Sequence, residues 1–133
     1  MQAADFDAVE KLWHDSDGVG LRGEETREWL ARYLDRNPGM SWVARDDARI
    51  VGAVLGGHDG RRGYLYHLAV DADRRRQGIG RALVAASLAA MAKHGIVRAT
   101  VFVYDDNLEA LDFWRTAGWH DRVDLRMMQK SVM

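Results

Sequence analysis

The sequence predicts an α/β domain with a mixed sheet, and three observations carry that expectation. Apolar or alternating runs of strand length at residues 41–45, 49–55, 64–70 and 96–104 are interleaved with longer segments in which apolar residues recur every three or four positions. The segment order is helix, helix, three strands, helix, strand, helix, strand. Between the third strand and the third helix lies Asp73-Arg74-Arg75-Arg76-Gln77-Gly78-Ile79-Gly80-Arg81, a basic glycine turn.

Taken in order, residues 5–13 put Phe6, Val9, Leu12 and Trp13 on one helical face, and Asp15-Ser16-Asp17-Gly18 ends that helix. Residues 18–23 read as a loop. Residues 24–34 form a second helix with acids in its first turn, as the helix dipole prefers, and Trp29, Leu30, Tyr33 and Leu34 as its apolar stripe. Asn37-Pro38-Gly39 breaks it. Strands at 41–45 and 49–55 flank a turn at Asp46-Asp47, residues 56–63 read as a glycine-rich turn, and 64–70 as a buried strand. The helix at 80–94 presents Leu83, Val84, Ser87, Leu88 and Met91, with Gly95 as its stop. After the strand at 96–104, Asn107 caps a helix at 108–116 that Gly118 ends, and residues 119–121 and 124–130 read as a final pair of strands. There are no repeats, low-complexity stretches or linkers, so residues 1–133 are expected to be one domain.

A chain of this length can bury roughly two-thirds of its unfolded surface. With 47% hydrophobic and 29% charged residues it has the composition of an ordinary globular protein, and its net charge of −1 supplies no general attraction to nucleic acid or membrane. The absence of cysteine excludes disulfides, thiolate metal sites and a cysteine nucleophile, and fits a reducing cytoplasm. The first residues lack the basic-then-apolar pattern of a signal peptide, and no apolar run nears the ~20 residues of a membrane span. No His/Asp/Glu grouping has metal-ligand spacing, so no metal is expected.

The glycine turn has the chemistry of a phosphate cradle. A helix N-terminus carries free N–H groups and about half a positive charge. Gly78 and Gly80 let an anion approach the backbone, and the arginines add charge-assisted bonds. It is not a P-loop, since no Gly-Lys-Ser/Thr follows. It is not a Rossmann turn, since position 83 is Leu where a third Gly or Ala is needed.

Leu68-Ala69-Val70, a four-residue spacer and Arg75-x-x-Gly78-x-Gly80 resemble the acetyl-CoA signature of the GCN5-related N-acetyltransferase (GNAT) superfamily. A second block, Asn107-x-x-Ala110-x-x-Phe113-Trp114-x-x-x-Gly118-Trp119, resembles its later motif, and the resemblance runs from about Asp5 to Lys130. It implies a mostly antiparallel central sheet with about four flanking helices, the first strand being truncated or absent. It implies a sheet that splays between the strands ending at Val70 and Tyr104, and direct transfer of acetyl from acetyl-CoA to an amine. Leu68, Ala69 and Val70 would bond the pantetheine arm through their backbone. Arg75, Arg76, Gln77, Gly78, Ile79, Gly80 and Arg81 would hold the pyrophosphate, and Asn107, Ala110, Phe113 and Trp114 would complete the cofactor site.

Two positions depart from the pattern. Many members have a tyrosine acid where this chain has Trp114, and an indole N–H donates a hydrogen bond without serving as an acid. Bacterial ribosomal-protein N-acetyltransferases are similar but carry a glutamate where this chain has Phe102, which points away from a protein N-terminus as acceptor. The catalytic candidates are Tyr64, Tyr66 and His67. Strand alternation places His67 on the face opposite Tyr66 and Leu68, either as a base or as a hydrogen-bonded core histidine, and puts Tyr64 and Tyr66 on the face of Leu68 and Val70, either shaping the acceptor pocket or packing. His58 and Asp59 fall in the glycine-rich turn. Asp15, Asp17 and Glu24 either attract a cationic amine or form a solvated loop. The resulting expectation is a cytoplasmic, acetyl-CoA-dependent N-acetyltransferase of small-molecule amines, monomer or homodimer, with no nucleic-acid or membrane partner. The alternatives are acetylation of a protein N-terminus or lysine, and a non-catalytic CoA-binding or regulatory module.

Overall fold

The computed structural model describes residues 1–16, 18–21 and 23–133. They form two compact units, Met1–Phe102 and Val103–Met133. The first holds a 3-10 turn at Ala3–Asp5, helices α1 (Phe6–His14) and α2 (Arg27–Arg36), strands β1 (Trp42–Asp46), β2 (Arg49–His58) and β3 (Gly63–Val70), a 3-10 turn at Ala72–Arg74, helix α3 (Ile79–Lys93) and strand β4 (Ala99–Val101). The second holds α4 (Leu108–Thr116). No strand precedes α1 among the described residues. The amino group of Met1 instead donates to the Ser41 carbonyl at 3.0 Å, beside the start of β1.

The sheet runs β1-β2-β3-β4, antiparallel except for the parallel pair β3–β4. β2 lies inside it and is buried along nearly its whole length. On one face Phe6, Val9, Leu12 and Trp13 of α1 and Leu30 of α2 pack with Ile50, Ala53, Leu55 and Ala69. α3 covers the other face with Leu83, Val84, Ser87 and Met91. There the Ser87 hydroxyl donates to the Met40 carbonyl at 2.8 Å, so a buried polar pair is satisfied inside an apolar layer.

Several boundaries differ from the sequence expectation, each for a local reason. α2 begins at Arg27 rather than Glu24, because the Thr26 hydroxyl accepts from the Trp29 N–H at 3.1 Å and fixes the helix start. β2 continues to His58 through the glycines read as a turn. Gly56 and Gly57 pair with Leu65 and Tyr64. A Cβ on Gly56 would strike the Met40 carbonyl, and one on Gly57 would come within 2.6 Å of the Tyr33 hydroxyl. These glycines permit close packing in a strand. The true turn is closed by Asp59 Oδ1, which accepts from the Arg61 and Arg62 N–H groups at 2.8 and 2.7 Å.

β4 is shorter than the expected 96–104. Its ladder with β3 contains Gly63↔Ala99, Tyr64↔Thr100 and Leu65↔Val101 and ends there. β3 itself runs on to Val70. On the side that β4 covers earlier, residues 66–70 therefore have no strand neighbour among the described residues.

In the second unit Asn107 caps α4 and Gly118, at φ 95°, follows its end. The expected strands at 119–121 and 124–130 do not form. Strand backbone needs a neighbour for its N–H and C=O groups. Among the described residues no strand pairs with this stretch, whose local contacts are ion pairs: Arg115 with both oxygens of Asp121 at 2.9 and 2.5 Å, and Arg122 with Asp124 at 3.0 Å.

Candidate functional site

The glycine turn leads from the end of β3 into the N-terminus of α3. Asp71 N–H closes onto the Val51 carbonyl at 2.8 Å where β3 ends. The chain then makes its 3-10 turn, passes through an extended Arg75 and enters the left-handed region at Arg76 (φ 62°) and again at Gly78 (φ 81°). Positive φ at two positions so close together makes a tight, irregular entry into α3. Nothing lies within 4 Å of a Cβ built on Gly78, so glycine is needed there for its conformation and not for space. No side chain caps α3 and no acid sits in its first turn. Its first backbone bond runs from Ala82 N–H to Gly78 O at 3.0 Å, which leaves the N–H groups of Ile79, Gly80 and Arg81 without an intrahelical acceptor.

The arginines divide their work. Arg74 is committed to Asp46 on β1 and Arg49 to Asp71 and Asp73, so these pairs tie the loop to the sheet edge. Arg75 Nε donates to the Val70 carbonyl at 3.3 Å. Arg76 and Arg81 have no ion-pair partner among the described residues, and with Gln77 they complete the loop's outer surface.

β3 does not alternate as expected. Leu55 pairs with Tyr66 and Ala53 with Ala69, so Val54 alone faces both His67 and Leu68. This is a β-bulge, and His67 absorbs it at φ 53°, a conformation rare for residues other than glycine. Two placements are thereby corrected. Tyr64 and Tyr66 oppose Gly57 and Leu55 on the α1/α2 side, while Val70 opposes Gly52, whose free position looks onto Ile79 and Leu83 of α3; they do not share a face. His67 is also turned to the α1 side, its ring 5.0 Å from that of Trp13, edge-on. The Trp13 indole N–H holds the bulge by donating to the His67 carbonyl at 2.9 Å.

His67 Nε2 lies 3.4 Å from Glu25 Oε1, and both side chains are largely buried. Desolvation pushes the imidazole pKa below its ordinary value, opposed by the Glu25 carboxylate. Glu25 Oε2 is buried without a hydrogen-bond partner among the described residues, as is the Tyr33 hydroxyl, whose pKa burial raises. Tyr66 is also raised, by burial and then by Tyr64. The rings of Tyr64, Tyr66 and Phe102 lie 6.2–6.4 Å apart with their planes within 21° of parallel, forming an aromatic surface at the β3–β4 edge.

Of the acids singled out in the sequence, Glu24 is exposed, Asp15 pairs with Lys11 at 2.6 Å, and Asp17 lies outside the described residues. Sequence reasoning missed Glu25, and nothing local separates it from Glu24 until Thr26 fixes the helix start. His58 serves its turn, Nδ1 accepting from the Gly60 N–H at 3.0 Å. In the second unit Asn107 Oδ1 accepts from the Ala110 N–H at 3.1 Å, and Trp114 lies edge-on to Phe113 and Trp119 at 5.1 and 4.9 Å. Among the described residues no cluster of three or more His, Asp or Glu is placed to hold a metal, and no helix is long and apolar enough to cross a membrane.

Residues 6–119 match the family model described as Acetyltransferase (GNAT) family. An acetyltransferase of Pectobacterium atrosepticum is 34% identical over 103 residues, which is 77% of this chain and 72% of that protein. The crystal structure of an aminoglycoside acetyltransferase from an uncultured soil metagenomic sample, in complex with sisomicin, shares the fold with a TM-score of 0.77 at 21% identity, covering 100% of this chain and 93% of that one. A Mycobacterium tuberculosis protein in complex with CoA shares it with a TM-score of 0.65 at 22% identity, covering 84% and 67%.

Proposed function

Because the chain belongs to the GNAT family of acetyltransferases, we propose that it transfers acetyl from acetyl-CoA directly to the amine of a small molecule. The observation that carries this reading is the conjunction of an uncapped α3 N-terminus with a β3 strand that outruns its neighbour. The first suits a pyrophosphate, held by the backbone from Arg76 to Arg81 with the guanidinium groups of Arg76 and Arg81. The second leaves the side of β3 away from β2 without a strand partner over residues 66–70, an edge suited to a linear arm, although the Val70 carbonyl already accepts from Arg75 Nε. Asn107, Ala110, Phe113 and Trp114 enter this reading through the family resemblance alone.

In the reaction the amine nitrogen forms a bond to the acetyl carbonyl carbon. The carbonyl oxygen takes negative charge that a β3 N–H stabilises, a contribution of roughly 3–4 kcal/mol where it has been measured. The C–S bond then breaks. Trp114 gives no acid at the motif position. A thiol of pKa about 8.5 leaves as thiolate without one. The acceptor begins as an ammonium, must lose one proton before attack, and loses a second as the amide forms, which the departing thiolate or water takes. Phe102 lies among aromatic rings where the protein-directed relatives carry a glutamate, which favours a small molecule over a protein terminus. A cytoplasmic setting belongs to the same reading, as a cysteine-free chain using a soluble thioester.

The test is thiol release from acetyl-CoA across a panel of amines with a no-acceptor control. Aminoglycosides belong in the panel because a fold neighbour holds sisomicin. The expected result is acceptor-dependent release for at least one small amine. CoA binding by calorimetry with no release from any acceptor would make the protein a CoA-binding module instead.

A further inference from the structure

We infer that His67 takes the acceptor's proton through Nδ1, and that Glu25 is the positioning residue that sets its tautomer and supports its charge. The inference rests on the acetyltransferase reading and adds to it the route of the proton.

Three observations converge on this pair. The first is position: His67 sits on the bulge of β3, at the start of the segment that β4 leaves uncovered. The second is hydrogen bonding. A carboxylate only accepts, so the Nε2–Glu25 Oε1 contact at 3.4 Å requires the proton on Nε2 and leaves the lone pair on Nδ1. Nδ1 has no partner among the described residues and is not among their fully buried unpartnered atoms. The third is electrostatic. Glu25 Oε2 is buried with no hydrogen-bond partner among the described residues, an unusual cost for a carboxylate. An imidazolium formed beside it during turnover would offset that cost. The distance is long for the resting state, as contacts that tighten during reaction often are.

The surroundings restrict what else acts on the ring. α1 presents the uncharged indole of Trp13, β3 the neighbouring Tyr66, and the segment before α2 Glu25, the one charged group acting on His67 among the described residues. The proton balance is simple. The acceptor's R–NH3⁺ gives one proton to Nδ1, which passes it to water; R–NH2 then attacks the thioester carbonyl, and the second proton, shed by the nitrogen as the C–N bond forms, returns through Nδ1 to the departing thiolate, leaving the amide and the free thiol.

The experiment combines nitrogen-15 NMR of the histidine side chains with kinetics of His67→Gln, Glu25→Gln and Glu25→Ala. The resting wild-type protein should show the Nε2–H tautomer. His67→Gln should lower kcat about 10²-fold with CoA affinity unchanged. Glu25→Gln keeps an acceptor oxygen but loses the charge, so the His67 titration seen by NMR, and the acid limb of the kcat profile, should move down by about one pH unit. Glu25→Ala should lower kcat further than Glu25→Gln. An Nδ1–H tautomer, or a folded His67→Gln variant within about threefold of wild-type kcat, overturns the proposal. Loss of thermal stability in the Glu25 variants with an unmoved titration overturns the role of Glu25. If the wild type turns over no acceptor, the acetyltransferase reading fails, while the NMR result still decides the tautomer.

Discussion

Gly80 shows how one residue separates folding from binding. It is the second residue of α3, and its N–H has no intrahelical acceptor. A carboxylate placed there by Gly80→Asp favours the helix, because negative charge at an N-terminus is stabilising by roughly 0.3–1 kcal/mol. Under the proposed function the same carboxylate would compete for the N–H groups that hold the pyrophosphate and would repel it. The expected outcome is an unchanged or slightly raised melting temperature with CoA binding reduced at least about tenfold, a loss of roughly 1.4 kcal/mol. Calorimetry giving wild-type CoA affinity in the folded variant would refute the phosphate assignment of this loop. Glu25 carries a different lesson at the same scale. It and Glu24 are adjacent acids, yet one is solvated and the other sits against a histidine 42 positions away.

At the scale of elements, β2 and β3 hold the departures that matter most. β2 keeps glycine at two successive positions because α2 and the Met40 backbone come too close for any side chain. Gly56→Ala forces a methyl group against the Met40 carbonyl, a backbone atom that cannot rotate aside as a side-chain end can. Overpacking of this kind costs about 1–3 kcal/mol. Denaturant unfolding of Gly56→Ala should show that loss at unchanged m-value, and a variant as stable as wild type would refute it. On β3 the bulge re-aims a side chain. It turns His67 toward Trp13 and Glu25, and the indole N–H of Trp13 holds the strained backbone in place.

Across the whole molecule the buried histidine couples folding to pH. Burial lowers the His67 pKa in the folded protein below the value near 6.5 that it regains on unfolding. Below about pH 6.5 the unfolded chain therefore binds more protons than the folded one, and stability falls as pH falls toward the folded pKa. Above that window the contribution is fully present. The melting temperature should drop between about pH 7 and pH 5, and His67→Gln should flatten that drop. Identical profiles for the two proteins would show that His67 is not a buried titrating group. How much of this was legible in the sequence follows physical range. The helical stripes of α1 and α3, the Asn107 cap and the order strand, glycine turn, helix are set by neighbouring residues, through spacings of three and four and through glycine's access to positive φ, so the chain alone determined them. The two sequence motifs likewise sufficed to indicate the family. The strand through Gly56 and Gly57, the bulge at His67 and the meeting of Glu25 with His67 were decided by tertiary structure. Each depends on which distant backbone packs alongside, as in the Trp13–His67 bond across 54 positions. A local pattern carries no record of that partner.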